Sequence, residues 1–382
     1  MTLTAVDITG YRSVRAIHFP VRQLSVLVGA NGVGKTNLYR ALELVHAAAT
    51  GTLAEDIASQ GGLGSVFWAG ERKASETPRL TLSVSLDDIG GGPRDYAVEL
   101  GFAPSYEVEI GFRAPATAAF PLEAQIKAER LTLKGGARPT VLMERKQGMA
   151  WARDAEGRRV VADENLLSNE TALFALRGYP EIDAVRETLA AWRFFHGFRT
   201  DAGSPLRQPG LAVTSPLLAA NGANLAAVFA TLRHIREDSV DLDTAIDDAF
   251  PGAVLDVPLP EQNSSFSLTF PDMPKRAFGA AELSDGTLQF LALMGALLSY
   301  RLPPLIALNE PESSLHPELL PALARVIAKA AQRTQIWVVT HSTILSDAIA
   351  AETGILPREV IRKDGGTWLK GLNTIGTFAD DD

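Results

Sequence analysis

The sequence predicts an α/β fold: a mixed sheet with flanking helices, carrying an antiparallel β subdomain and a helical insertion. Three observations predict it. A glycine-rich stretch, "GANGVGKT", stands between a short apolar run and an amphipathic helical pattern. Residues 79–161 alternate apolar and polar side chains with period two, broken by Gly and Pro. The last third alternates helical and strand-like segments, the pattern of a parallel sheet.

Taken in order, residues 1–78 open with two strand-like runs, "LTAVDITGY" and "AIHFPV". A third run, "LSVLVG", is short and rich in Val and Leu, and breaks into glycines and a helix. In "TNLYRALELVHAA", Leu38, Ala41, Leu42 and Val45 fall on one helical face. The segment 79–161 contains "RLTLSVSLDD", "DYAVELGF", "SYEVEIGF" and "EAQIKAERLTL", which read as an antiparallel meander. The segment 162–250 is mainly helical; "NLAAVFATLRHI" places Leu225, Val228, Phe229, Leu232 and Ile235 on one stripe. From 251 to 382, "AVLDVPL" and "SFSLTF" return to strand before the alternating final portion. No fixed-period repeat and no long heptad run is present.

Residues 29–36 fit the pattern G-x-x-x-x-G-K-[ST]. Glycines let the backbone fold tightly and turn its N–H groups toward an anion, and the free N–H groups and dipole of the following helix favour phosphate too. Lys35 is expected to neutralise the β- and γ-phosphates of ATP, and the Thr36 hydroxyl to ligate Mg2+. Asn31, Gly32, Gly34 and Asn37 complete the candidate nucleotide-binding set, with Asn37 expected to steady the loop or the helix start.

Three further motifs come later in the chain. "ELSDGTLQFLALMGALL" begins at Glu282; Ser284 is a good helix N-cap and an apolar helix comes after it. "LIALNEPESSLHP" drives four apolar residues straight into Asn309, Glu310 and Glu312. "QIWVVTHS" is another apolar strand, ending at His341. An acid at a strand end is often a solvated turn, and a histidine after a strand is often structural. The joint occurrence in this order carries the weight.

This arrangement resembles the ABC-type ATPase clan, with Walker A in the glycine-rich loop, the ABC signature in "LSDGTLQ", Walker B in "LIALNEPE" and the switch histidine in "VVTHS". Within the clan, "ITGYRSV…LSVLVGANGVGKTNLYRAL" and the "EPESSLHP" box look like stand-alone AAA ATPases related to RecF, SMC and OLD proteins; the middle matches more loosely, through "GFRTDAGSPLRQP" and "NGANLAAVFATL". The resemblance implies a P-loop nucleotide-binding domain in which two chains pair head to tail around two ATP molecules. Ser284 and Gly286 of one chain would touch the γ-phosphate held by Lys35 of the other. Glu310 would position or deprotonate the attacking water, and His341 would contact the γ-phosphate. The clan usually has Asp before the catalytic Glu, where it helps to hold Mg2+. Asn309 keeps an oxygen acceptor without the charge, so an active but slow ATPase is expected. Gln60, in "SQGGLG", reads as a solvated loop residue, and Arg12 as a surface arginine.

Composition bounds the rest. Hydrophobic residues make up 46% and charged residues 21% of 382, ordinary for a globular protein. With no cysteine, disulfides, thiolate catalysis and Cys-based zinc sites are excluded. No apolar run reaches the roughly 20 residues of a membrane helix, and the N-terminus reads as a strand, not a signal peptide, so a cytoplasmic location and no membrane partner are expected. The net charge of −9 confines any nucleic-acid contact to a local patch. Residues 127–159 offer one: nine basic residues against four acids, with Trp151 among them. Such a ribbon suits a DNA backbone, or is simply a solvated hairpin. Three roles are open: a DNA-associated ATPase in repair, chromosome maintenance or phage defence; the ATPase half of a defence or toxin system with a separate effector protein; and, disfavoured by the large insertion, a transporter's ATPase subunit. No nuclease constellation is visible, so a nuclease activity would need a partner.

Overall fold

The computed structural model describes residues 1–71, 78–87, 103–111, 123–134, 139–146, 148–163, 165–236 and 239–378. The chain forms two compact units, each discontinuous in sequence: 1–22 with 29–192 and 359–382, and 23–28 with 193–358.

The first unit is built on an eight-stranded sheet in which every neighbour runs antiparallel. Its order is Val14–Pro20, Thr2–Tyr11, Leu80–Asp87, Ala103–Gly111, Gln125–Lys134, Thr140–Lys146, Met149–Arg153 and Arg159–Asp163. The meander expected over 79–161 is therefore present; the run "DYAVELGF" lies outside the described residues. Period-two alternation gives this sheet one apolar face. In Thr2–Tyr11 the buried positions are Leu3, Val6, Ile8 and Tyr11; an irregularity between Leu3 and Ala5 changes the parity after Leu3, as a bulge does. The helix Lys35–Thr50 buries Leu38, Ala41, Leu42 and Val45 as the periodicity requires, and ends at Gly51, whose left-handed φ of 83° suits a C-terminal glycine.

The second unit holds four parallel strands in the order Arg193–Phe195, Leu305–Asn309, Gln335–Thr340 and Leu24–Val28. Both Leu305–Asn309 and Gln335–Thr340 are buried along their whole length, which is why they read as unbroken apolar runs. The helix Asp285–Leu298 is buried at every residue from Thr287 to Leu298, so it is apolar on all sides, not amphipathic. It shares one core with Leu24, Val26, Phe229, Leu308, Leu323 and Val338.

One expected stripe is broken. Leu225, Val228, Phe229 and Leu232 are buried, but Ile235 is 62% exposed. The α-helix Leu225–Ala230 passes into a π-helical turn, Thr231–Ile235, closed by the Arg236 N–H donating to the Thr231 carbonyl. The wider turn takes in one extra residue and rotates the end of the segment away from the core.

Candidate functional site

In the first unit, the glycine-rich loop leads into Lys35–Thr50. Gly34 lies at φ 102°, and a Cβ there would come 2.0 Å from Thr367 Oγ1 and 2.5 Å from Ser13 Oγ, so both backbone and space demand glycine. Lys35 is 4% exposed, and its ammonium donates to the carbonyls of Gly29 (2.5 Å) and Ala30 (2.8 Å). The loop is stitched from beneath: Thr367 Oγ1 donates to the Val33 carbonyl (2.8 Å) and meets Ser13 Oγ at 2.7 Å. Asn37 donates its amide to the same Ser13 Oγ at 2.6 Å. Asn31 and Gly32 are on the loop, Asn31 exposed, and Thr36 occupies the second helical position. Neither Ser13 nor Thr367 announces this role in sequence, because Thr367 arrives from far along the chain.

Nearby side chains in this unit are more tightly held than expected. Gln60 is not merely solvated: its Oε1 accepts from Tyr11 Oη (3.2 Å) and from Arg12 Nη2 (3.0 Å). Arg12 takes a left-handed φ of 46°, and its guanidinium lies 5.6 Å from the Tyr11 ring centroid. Burial pushes the Tyr11 hydroxyl up to about 12, and it pushes the Glu43 carboxyl up to about 7 against the pull of Arg40.

The second unit brings Asn309, Glu310 and His341 together at the ends of adjacent parallel strands. Asn309 is 2% exposed; its Nδ2 donates to His196 Nδ1 at 2.5 Å, while its Oδ1 is buried with no partner. Glu310 sits at φ 50°, uncommon for a residue with a Cβ, with its N–H donating to the Val339 carbonyl (2.7 Å). Its Oε1 is 3.8 Å from His341 Nδ1. Glu312 has a different part. Only 8% exposed, it accepts at Oε1 from Thr340 Oγ1 (2.5 Å) and from the N–H groups of His341 (3.0 Å) and Ser342 (3.2 Å), and that oxygen lies 3.2 Å from His341 Nδ1. It anchors the segment that carries His341. Glu312→Ala would strand the Thr340 hydroxyl and the His341 N–H, while the Ser342 N–H keeps Thr340 Oγ1 as acceptor (2.9 Å), and we expect a loss of roughly 2–3 kcal/mol in urea unfolding; a loss under about 1 kcal/mol would rule out the anchoring role.

Ser284 caps Asp285–Leu298 as expected, its Oγ accepting from the Thr287 N–H at 3.2 Å. A Cβ on Gly286 would come 2.8 Å from the Ser314 carbonyl. The segment before this cap is gripped by Arg207, which sequence reading passes over. Its guanidinium donates to the carbonyls of Ala281 (3.0 Å), Leu283 (2.8 Å) and Thr200 (2.7 Å) and pairs with Asp285 (2.7 Å).

The basic stretch 127–159 is largely engaged with its own surroundings. Arg145 is fully buried, donating to the Leu167 carbonyl (2.7 Å), and buried Glu129 accepts from the N–H groups of Ala172 and Leu173. Arg158 pairs with Asp154 and Glu156. Arg153 donates to the carbonyls of Val141 and Gly157. Arg130, Lys146 and Arg159 converge on Glu144 at 3.1, 3.1 and 2.9 Å, and Arg159 lies 5.0 Å from the Trp151 ring centroid. Burial raises the Glu144 carboxyl, but the bonds from Lys146 and Arg130 outweigh it and hold the group below its usual range. Arg138 and the Lys134 side chain lie outside the described residues. No helix among the described residues is long and apolar enough to cross a membrane.

Comparisons place this architecture. The chain superposes on the SMC head bound to the C-winged helix domain of ScpA with a TM-score of 0.58, at 14% identity, over 98% of this chain and 99% of that one. It also superposes on an SMC head with an extended coiled coil, bound to the C-terminal domain of ScpA and derived from Pyrococcus furiosus: TM-score 0.51, 11% identity, 96% of this chain and 95% of that one. A comparison with curated protein sequences finds no match. Residues 1–53 match a family described as "Protein of unknown function (DUF2813)". Residues 149–347 match the family described as "AAA domain, putative AbiEii toxin, Type IV TA system". That match spans more than half of the chain, and the fold is that of SMC heads; the chain belongs to this AAA-domain family.

Proposed function

We propose that this protein binds ATP with Mg2+ and hydrolyses it as a head-to-tail homodimer. The observation that carries the reading is the loop 29–36, with a buried lysine, glycines in left-handed conformations and a helix start directly behind it. Lys35 exchanges the carbonyls of Gly29 and Ala30 for β- and γ-phosphate oxygens. Glu310 orients the attacking water and takes its proton, His341 donates to the γ-phosphate, and Ser284 and Gly286 of the second copy donate to the same group. Catalysis is then positioning plus electrostatic stabilisation. Mg2+ would neutralise phosphate charge, with Thr36 Oγ1 and Asn309 Oδ1 as its protein ligands. The buried, unpartnered Asn309 oxygen suits a hard cation, directly or through water. Among the described residues no group of three or more His, Asp or Glu could hold a metal by itself, so the triphosphate must bring most of the negative charge.

The test is mass in solution. Glu310→Gln, sized by light scattering, is expected to double in mass only when ATP and Mg2+ are both present. A monomer under those conditions would overturn the dimer.

For the process served, we favour DNA association in repair, chromosome maintenance or phage defence. Three cations on one carboxylate, with Arg130, Lys146 and Arg159 side chains 48%, 63% and 56% exposed beside Trp151, leave a surplus of positive charge for a phosphate backbone. Duplex or single-stranded DNA is expected to raise ATP turnover, and raising salt from about 50 to about 200 mM should remove most of the rise. Turnover indifferent to DNA at both salt levels would favour the second reading: the ATPase of a toxin or defence system with a separate effector, which the matched family's description supports.

A further inference from the structure

Asn309 stands where the clan's aspartate is expected, and a carboxamide differs from a carboxylate in one respect beyond charge: its two ends are not equivalent. One end accepts and the other donates. An amide turned over by half a revolution would present N–H groups where a cation needs an oxygen. Something must therefore choose the orientation.

We propose that His196 is the positioning residue that makes this choice. It rests on the reading of Asn309 as a Mg2+ ligand. Phe195 pairs with Leu308 in the parallel register of Arg193–Phe195 with Leu305–Asn309, so the residue after each, His196 and Asn309, emerges side by side at the strand ends. Their adjacency comes from backbone pairing, not from one rotamer. Asn309 Nδ2 donates to His196 Nδ1 at 2.5 Å. That contact needs the tautomer with the ring proton on Nε2; in it Nδ1 carries a lone pair, which would repel Oδ1 if the amide turned over. The contact uses the donor end of the amide and leaves Oδ1 buried, with no protein partner and both lone pairs available. An acceptor beside the amide thus does for asparagine what symmetry does for aspartate, whose two oxygens are interchangeable. Support of this kind, one shell out from a metal, orients the ligand without touching the ion.

The experiment reads Mg2+ demand, not turnover. In the Glu310→Gln background, binding of a fluorescent ATP analogue is titrated with Mg2+. His196→Ala is expected to raise the half-saturating Mg2+ concentration by about tenfold. In the Asn309→Asp background, where no flip exists, the same substitution should shift it less than about twofold. Equal shifts in both backgrounds, or no shift where Asn309 is present, would overturn the proposal. Asn309→Ala separates it from the reading beneath. If that change leaves Mg2+ demand unaltered, Asn309 is not a ligand and both fall. If it raises the demand while His196→Ala is silent, the positioning role alone falls. His196 is exposed, and its alanine variant should melt at the wild-type temperature without nucleotide, which excludes a general folding defect as the cause.

Discussion

Lys35→Ala is expected to weaken ATP binding by at least about a hundredfold. Two charge-assisted contacts to phosphate, each worth roughly 1.5–3 kcal/mol, sum to that factor or more. The side chain is almost wholly buried and already holds two backbone carbonyls of the loop, Gly29 and Ala30, so its head is kept close to the backbone that would cradle the anion. Lys35→Arg should fail as well, since a planar fork cannot replace a compact ammonium in so tight a turn. Isothermal titration with ATP and Mg2+ measures both. Near-normal affinity in the alanine variant would remove the phosphate loop from the site and, with it, the proposed chemistry.

Glu310→Gln is expected to lower turnover by about 10²–10⁴-fold while ATP affinity changes less than about threefold. The substitution keeps the side chain's shape and its place after the buried strand but removes the basic oxygen. Glu310 adopts a left-handed φ of 50°, which costs of order 1–3 kcal/mol and persists because its surroundings hold it, including the bond from its N–H to the Val339 carbonyl. Strain kept at a residue whose neighbour His341 lies 3.8 Å away is what a positioned base would look like. Single-turnover measurement separates chemistry from product release. If the glutamine variant hydrolyses at the wild-type rate, Glu310 is not the base, and Glu312, bound to three donors behind it, is poorly placed to take over.

A physical line divides the legible features from the rest. Those set by local spacing were legible: the buried runs Leu305–Asn309 and Gln335–Thr340, the Ser284 cap, the period-two meander and the glycine loop. Those set by register between distant segments were not. Nothing in the spacing of "EPESSLHP" shows that Glu312 folds back onto Thr340 and the His341 segment. Nothing in a count of nine cations reveals that Arg145 is interior or that three others share Glu144, since such pairs depend on which strand lies beside which. His196, Arg207 and Thr367 escape for the same reason: each acts on a segment far off in the chain. Ile235 leaves its expected stripe because helical periodicity assumes a constant turn, and the π-turn at Thr231–Ile235 alters it.

The strand that precedes the phosphate loop, Leu24–Val28, has its ladder partner in Gln335–Thr340, with Leu24 opposite Ile336. As the polypeptide leaves the ribosome, that early strand must wait for roughly three hundred further residues before it can be seated, at a large penalty in contact order. The proposed nucleotide affinity should accordingly be among the last properties a nascent chain acquires.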